Sequence, residues 1–543
     1  MNITRQPAWL HLQQHYEAEQ ALTLRERFAL DPDRFAHMHE RLHGMLFDYS
    51  KNRVSETTLD LLGRLADTAD VRGWADKMRR GDKINNSEGR AVLHTALRLP
   101  ENAAPVYVDG TNVVPLIHHE LNRALAFAER INDGRYLGAT GERITDVVNI
   151  GIGGSDLGPQ MAAQALAPYR QSVNVHFVAN ADGAHFARIA TRLKPERTLF
   201  IVASKSFGTP ETLFNARAAR AWFLQHGRSE ADIGRHFAAV SANLHATAAF
   251  GMVPENVFAM FDWVGGRYSV WSSIGLPLMC AVGSGHFRRF LAGAHAMDEH
   301  FFYTEWRHNI PALLGLIGVW HHNFCAAAGH TIVPYAHGLR RLPAYLQQLD
   351  MESNGKHAGR NGETVDCATG PIIWGEEGAN SQHAYFQLLH QSRRLITTDF
   401  IVPMRSAYPG RQHEFLVANA FAQAEALMLG RTQAEAEAAL IDLPPAERAS
   451  LAAQKVFPGN QPSNSILLDE ISPFNLGMLL AMYEHKVFVQ GMVWGINPFD
   501  QWGVEYGKIL ARAIEPELND TTAPHHDAST NGLINYYRTC KNK

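Results

Sequence analysis

The sequence predicts an α/β protein built on doubly wound parallel sheets, with a helical amino-terminal part and a carboxy-terminal arm. Three observations carry that expectation. Short, almost unbroken apolar runs recur after Gly141, a Gly/Ser-rich turn is read after each of them, and longer helical stretches separate one run from the next. A strand covered by helices on both faces needs apolar side chains in both directions, so an unbroken apolar run, rather than an alternating one, marks a buried parallel sheet.

Residues 5–130 come first and read as mostly helical, with apolar residues at three-to-four spacing, as in Leu59-Leu61-Leu62-Leu65 and Ile117-Leu121-Leu125. The first strand block follows, with runs at Val147-Val148-Asn149-Ile150, Val173 to Val178 and Thr198 to Ala203. A second block begins near residue 310, after helical material rich in aromatics and histidine, and its strands are expected at Thr331 to Tyr335, Gly370 to Trp374 and Leu395 to Val402. Residues 420–455, rich in Ala, Glu, Gln and Arg, predict helix interrupted at Pro444-Pro445, and the last 30 or so residues predict an appended helix and tail. Two such blocks suggest a divergent duplication.

Composition bounds the function. The chain has 543 residues, with 50 Lys+Arg against 54 Asp+Glu for a net charge of −4, so no cationic field invites nucleic acid. Hydrophobic residues at 46% and charged residues at 19% describe a well-packed globular protein rather than a disordered one. The four cysteines lie far apart without a C-x-x-C pair, which argues against a disulfide framework and fits a reducing cytoplasm. The amino terminus lacks the basic head and apolar run of a secretory signal, and no apolar run approaches the roughly 20 residues that span a bilayer. A soluble cytoplasmic protein with no membrane or nucleic-acid partner is expected.

Two loops carry the chemistry. Asn149-Ile150-Gly151-Ile152-Gly153-Gly154-Ser155-Asp156-Leu157-Gly158 joins a predicted buried strand to a helix, where glycines let a ligand approach the backbone and free N–H groups favour an anion. A dinucleotide fingerprint would place glycine where Asp156 stands, and no G-x-x-x-x-G-K-[ST] run occurs, so dinucleotide and nucleoside triphosphate are disfavoured. The second loop, Ser204-Lys205-Ser206-Phe207-Gly208-Thr209-Pro210-Glu211-Thr212, concentrates hydroxyls where a phosphate monoester can accept from several sides, and Pro210 suits a first helical turn. Both loops, about 50 residues apart on neighbouring strands, point to a sugar phosphate at the carboxyl ends of a doubly wound sheet.

These loops resemble those of sugar isomerase (SIS) domains, and the chain is similar to the glucose-6-phosphate isomerase family over nearly its full length. The matching segments, in family order, are Val264-Gly265-Gly266-Arg267-Tyr268-Ser269, Gln347 to Lys356, Gly378 to Ala384, and Phe499 to Lys508. The resemblance implies two SIS domains in three-layer α/β/α sandwiches, placed at 121–285 and 286–510, between a helical region 1–120 and a helix and tail at 511–543. It further implies interconversion of glucose 6-phosphate and fructose 6-phosphate without metal or organic cofactor, by a homodimer with shared active sites. Gly208 and Pro210 depart from the family's usual hydroxyl residue and glutamine, and Ala379 with Ser381 from its threonine and glycine; the first departure costs one phosphate contact.

Moving a carbonyl between adjacent carbons needs one base that removes a proton from one carbon and returns it to the next. The family's glutamate falls on Glu352. Arg267 fits the cation that stabilises charge on the sugar oxygens, with Gly265 and Gly266 leaving space for substrate. His383, a group that exchanges protons near neutrality, suits ring opening, with Lys508 assisting at the ring oxygen as the resemblance implies, and His383 is expected to reach into the partner subunit's site. Gly154, Ser155, Ser204, Lys205, Ser206, Thr209, Gln348 and Gln501 complete the expected substrate and phosphate contacts. The pairs His118-His119, His321-His322 and His525-His526 lack H-E-x-x-H spacing, so metal ligation is not expected. Two alternatives are weaker: a sugar-phosphate sensor, which needs a helix-turn-helix head that the sequence does not show, and an amidotransferase-type hexosamine synthase, which needs an amino-terminal cysteine where this chain reads Met1-Asn2.

Overall fold

The computed structural model describes residues 2–541 and resolves the chain into two compact units, one running to Pro498 and the other beginning at Phe499. Within the first unit the strands are β1 (His39–Leu42), β2 (Met45–Asp48), β3 (Tyr107–Val108), β4 (Thr111–Asn112), β5 (Asp146–Ile150), β6 (Asn174–Val178), β7 (Thr198–Ala203), β8 (Phe237–Val240), β9 (Val257–Phe258), β10 (Gly329–Pro334), β11 (Ile373–Gly375), β12 (Ile396–Arg405) and β13 (Ser463–Glu470). The second unit carries the helices Glu505–Glu517 and Ala528–Lys541.

The first large sheet runs β6-β5-β7-β8-β9 and is parallel throughout, the doubly wound order that the unbroken apolar runs predict. Val148, Ile150, Val178, Phe200 and Val202 are buried in one cluster with Phe223 of the covering helix Pro210–Gln225. Register places Ile150 opposite Val202, so the loops leaving β5 and β7 emerge side by side at the carboxyl edge. The second sheet runs β1-β2-β13-β12-β10-β11. Its β11, β10, β12 and β13 are mutually parallel, while β2 joins β13 antiparallel and pairs with β1 as a hairpin.

Three strands and the hairpin differ from the sequence expectation. The amino-terminal stretch, read as helical, supplies β1 and β2 to the second sheet. β8 and β9 are too short to show a period. β13 opens with Ser463-Asn464-Ser465, a polar start that conceals a buried strand: Asn464 donates to Asp399 Oδ1 at 2.7 Å and accepts from Asn52 at 2.8 Å, so its amide is satisfied inside the sheet. Among the described residues no helix is long and apolar enough to cross a membrane.

Beneath both sheets lie the helices Leu276–Tyr303 and Pro473–Val493, and a buried charge network joins them. The fully buried Arg98 guanidinium bonds Asp298 through two nitrogens, at 2.8 and 2.7 Å, and Glu484 at 2.5 Å. Trp271 Nε1 donates to the other oxygen of Glu484 at 2.7 Å, and His485 Nε2 lies 2.7 Å from Asp298. Burial pushes the carboxyls of Asp298 and Glu484 up, to about 6 and about 7, against the pull of Arg98. Burial acts the opposite way on histidine: His300 is lowered to about 4, His321 to about 3, and His94 and His485 well below the usual imidazole range.

A carboxyl raised in the fold binds protons that the unfolded chain releases, so its contribution is fully present below its ordinary value of 4.5 and is lost as pH rises to about 7. That span is worth roughly 3 kcal/mol at about 1.4 kcal/mol per unit. Glu484→Gln keeps the Arg98–Asp298 pair and removes the titration. Its melting temperature relative to the parent protein should therefore climb between pH 5 and pH 8; a constant difference in paired thermal melts would show that Glu484 is not the titrating group.

Candidate active site at the carboxyl edge of the first sheet

The first loop turns directly after β5. Asn149, buried at the strand end, donates through Nδ2 to the Ser155 carbonyl at 3.0 Å and so closes the short helical turn Gly153–Ser155. Gly153 takes the left-handed conformation, with φ 59°. A methyl group built on Gly154 would lie 2.1 Å from the carbonyl oxygen of Gly266 and 2.7 Å from the Arg267 nitrogen, so only glycine admits that approach between the two segments. One built on Gly153 would lie 3.1 Å from Gln348 Nε2. Gly154, Gln348 and Arg267, far apart in sequence, thus meet around one turn, with Ser155 closing it. Asp156 is buried just behind, its carboxyl raised to about 6 by burial against the opposing field of Arg341.

The second loop follows β7 and ends at the helix that begins with Pro210, as the proline predicts. Thr209 sits at the cap position but makes no capping bond; its hydroxyl lies 3.2 Å from the Ser204 hydroxyl instead. Ser204 is buried and Ser206 exposed, and between Ser206 and Gly208 stands Phe207, buried in the left-handed region at φ 49°. The backbone is tied down from the neighbouring strand's loop. The Lys205 carbonyl accepts from the Ala242 amide at 2.9 Å and the Ser241 hydroxyl at 3.2 Å, and the Ser206 carbonyl accepts from Asn243 Nδ2 at 3.1 Å. Lys205 Nζ donates to the Asp262 carbonyl at 3.2 Å, and burial, then the Arg90 cation, hold its ammonium below the usual lysine range. A methyl group built on Gly208 would meet only Ser206, nearest at its Oγ, 3.4 Å away, so a side chain fits at this departure from the family pattern.

Arg267 is the hub. Buried on the short turn Gly266–Tyr268, it donates through Nε to Ser353 Oγ at 2.6 Å and through Nη2 to the Pro498 carbonyl at 2.7 Å, while Nη1 stands 3.3 Å from Glu352 Oε2. Tyr268 shares the same serine hydroxyl, at 3.0 Å, and stacks on His94 with ring centroids 4.6 Å apart. Glu352 closes a π-helical turn, Gln347–Glu352, and its carboxylate is partly open to solvent. The carboxylate and the cation named from the motifs are therefore side by side, and the same turn presents Gln348 to the glycine loop.

Within the first unit His383 does not join this cluster. His383 lies on the helix Asn380–Ala384 with its imidazole exposed and no hydrogen bond to Glu352. That helix is introduced by Ala379 at φ 68°, a conformation rare outside glycine, and is pinned by Gln382 Nε2 donating to Tyr335 Oη at 2.7 Å. Gln501 and Lys508 belong to the second unit; Gln501 precedes the turn Trp502–Val504, and Lys508, exposed on the helix Glu505–Glu517, pairs with Glu505 at 3.1 Å. Among the described residues no group of three or more His, Cys, Asp or Glu side chains is placed to hold a metal ion.

Sequence reasoning missed Ser353, Tyr268, Ser241 and Asn243, which touch the named residues rather than announce themselves. Ser353 and Tyr268 fall inside segments already quoted, and their polar side chains beside Glu352 and Arg267 were the available signal; Ser241 and Asn243 follow an unrecognised strand.

Comparison with known proteins bears on this arrangement. A family model for phosphoglucose isomerase matches residues 48–534. A glucose-6-phosphate isomerase 2 of Neisseria meningitidis serogroup A is 61% identical over 538 residues, covering 99% of this chain and 98% of the relative. That of Chromobacterium violaceum is 58% identical over 541 residues, with the same coverage. A crystal structure of a glucose-6-phosphate isomerase from Chlamydia trachomatis matches with a TM-score of 0.86 at 30% identity, covering 99% of this chain and 100% of that one. With a family model spanning most of its length and relatives more than half identical from end to end, the chain belongs to the phosphoglucose isomerase family.

Proposed function

We propose that the protein interconverts D-glucose 6-phosphate and D-fructose 6-phosphate, with Glu352 carrying the proton between the first two carbons. The observation that carries this reading is the Glu352 carboxylate 3.3 Å from the buried Arg267 cation, at the sheet edge where two loops rich in hydroxyl and amide donors emerge together. The loop Ser204–Thr209 holds the phosphate through Ser204, Ser206 and Thr209, with Lys205 adding charge. Gly154, Ser155, Gln348 and Gln501 bound the sugar.

His383 and Lys508 exchange a proton with the ring oxygen and the anomeric hydroxyl and open the ring. Glu352 then takes the proton from carbon 2 of the aldose, electrons pass to the carbonyl oxygen, and a cis-enediolate forms. Arg267 stabilises that charge. Return of the proton to carbon 1, with the hydroxyl proton passing from oxygen 2 to oxygen 1, yields the ketose, so the reaction is internally redox-neutral and runs without an organic cofactor or metal. His383 comes from the partner subunit, which makes the working form a homodimer acting in the cytoplasm in glycolysis and gluconeogenesis.

Purified protein given fructose 6-phosphate in the presence of chelator should yield glucose 6-phosphate, followed through a coupled dehydrogenase. Absence of product ends the isomerase reading, and product only after metal addition ends the metal-free one. In the same assay Glu352→Gln should lower kcat by about 10² to 10⁴, the usual contribution of a positioned base, while phosphate-dependent binding persists; retained turnover would name another base. Mixing inactive His383→Ala with inactive Glu352→Gln chains should restore activity in heterodimers, and verified heterodimers that stay inactive would place both residues in one chain's site. Gly208→Ser should add a phosphate contact worth about 1 kcal/mol, raising kcat/KM up to about fivefold; a value at or below the parent's shows that position 208 faces away from the phosphate.

A further inference from the structure

The π-helical turn that ends in Glu352 is wider than the α-turn from which it continues, and such turns are rare, occurring mostly as single bulges in α-helices, so this one calls for local support. The support here is ionic. Asp350, buried in the turn, accepts from Lys486 Nζ, which is equally buried in the helix Pro473–Val493. Asn354 adds a second bond to Asp350, at 3.3 Å, and donates as well to the Val487 carbonyl at 3.2 Å. The turn is thus fastened to the floor helix at adjacent residues, Lys486 and Val487.

Stability alone is a weak reason for such a pair. Two buried ions lose their hydration, and an apolar pair of similar volume commonly serves a core as well or better. What an ion pair supplies is a defined geometry, and the geometry at stake is that of Glu352. Collapse of the extra residue into α-helical form would rotate the flank beyond it by about 100°. Glu352 and Ser353 would both leave Arg267, whereas Gln348, ahead of Asp350, would stay against the glycine loop.

The geometry points to Asp350 and Lys486 as a positioning pair that holds the π-turn in the register where Glu352 stands beside Arg267 and above the substrate carbons. This rests on Glu352 being the base. A positioning pair acts on the chemical step more than on capture of the phosphate, which the loop after β7 performs.

The test is the double variant Asp350→Leu/Lys486→Met, which replaces the ions by apolar groups of similar size, assayed with fructose 6-phosphate beside Glu352→Gln. A folded double variant should lose at least tenfold in kcat with KM within about threefold, and its crystal structure should show the Glu352 carboxylate more than about 4 Å from the Arg267 guanidinium. Parent-like kcat with Glu352 in place would overturn the proposal, as would a loss confined to KM. Should the double variant not fold, Asp350→Glu keeps the charges and lengthens the reach, and the same split between kcat and KM is expected; failure of both to fold would make the pair a structural one and end the proposal. Turnover persisting in Glu352→Gln removes the base assignment while the crystallographic readout still decides the positioning claim, and an inactive Glu352→Gln beside a fully active double variant removes the positioning claim alone.

Discussion

The Arg267 guanidinium is where the architecture of the site converges. Its three nitrogens reach a serine hydroxyl, a carboxylate and a backbone carbonyl, contributed by Ser353, Glu352 and Pro498. A buried cation tolerates so little water only when its donors are satisfied, and each bond to a charged group contributes about 1.5–3 kcal/mol. The planar fork also fixes direction as well as distance, which a lysine ammonium would not. Through Gly154 the same turn touches the loop after β5, so the glycine loop and the segment that carries Arg267 share one rigid joint.

Rigidity is supplied from below, and two strained residues stand at the rim. The parallel strands deliver both loops to one edge, and bonds from Asn149, Ser241 and Asn243 fasten their backbones. Phe207 and Ala379, two non-glycine residues with positive φ, sit in segments that carry Lys205, Ser206 and His383. Such conformations cost of order 1–3 kcal/mol and persist where the surrounding structure over-determines them, as the anchored β7 loop does.

Much of this was legible in the chain. Unbroken apolar runs announced β5, β6 and β7, and the motifs singled out Arg267, Glu352 and Gln348, which the fold brings together. What stayed hidden is long-range pairing. Lys486 lies in a helix buried along nearly its whole length, and nothing local tells that its ammonium answers Asp350, 136 positions earlier. β13 was masked because Asn464 and its serine neighbours look polar while partners elsewhere satisfy the asparagine. The hairpin β1–β2 acquires its role only by joining β13, a pairing of segments more than 400 residues apart. His383 and Lys508 were named from the motifs alone, and the chain by itself gives them exposed positions.

The buried histidines make the interior a two-way proton account. Below about pH 6.5 an unfolded chain protonates its imidazoles, whereas His94, His300, His321 and His485 stay neutral in the fold, so acidification draws material toward the unfolded state until each folded value is reached. Glu484 and Asp298 pull the other way, since the fold takes up their protons before the unfolded chain does. Mild acid down to about pH 4.5 is therefore partly self-cancelling. Below that the raised carboxyls no longer compensate, the imidazoles still favour the unfolded chain, and carboxylates held below their ordinary range, such as Glu435 beside Arg25, begin to lose their pairing as well, so tolerance of acid should fall away more steeply.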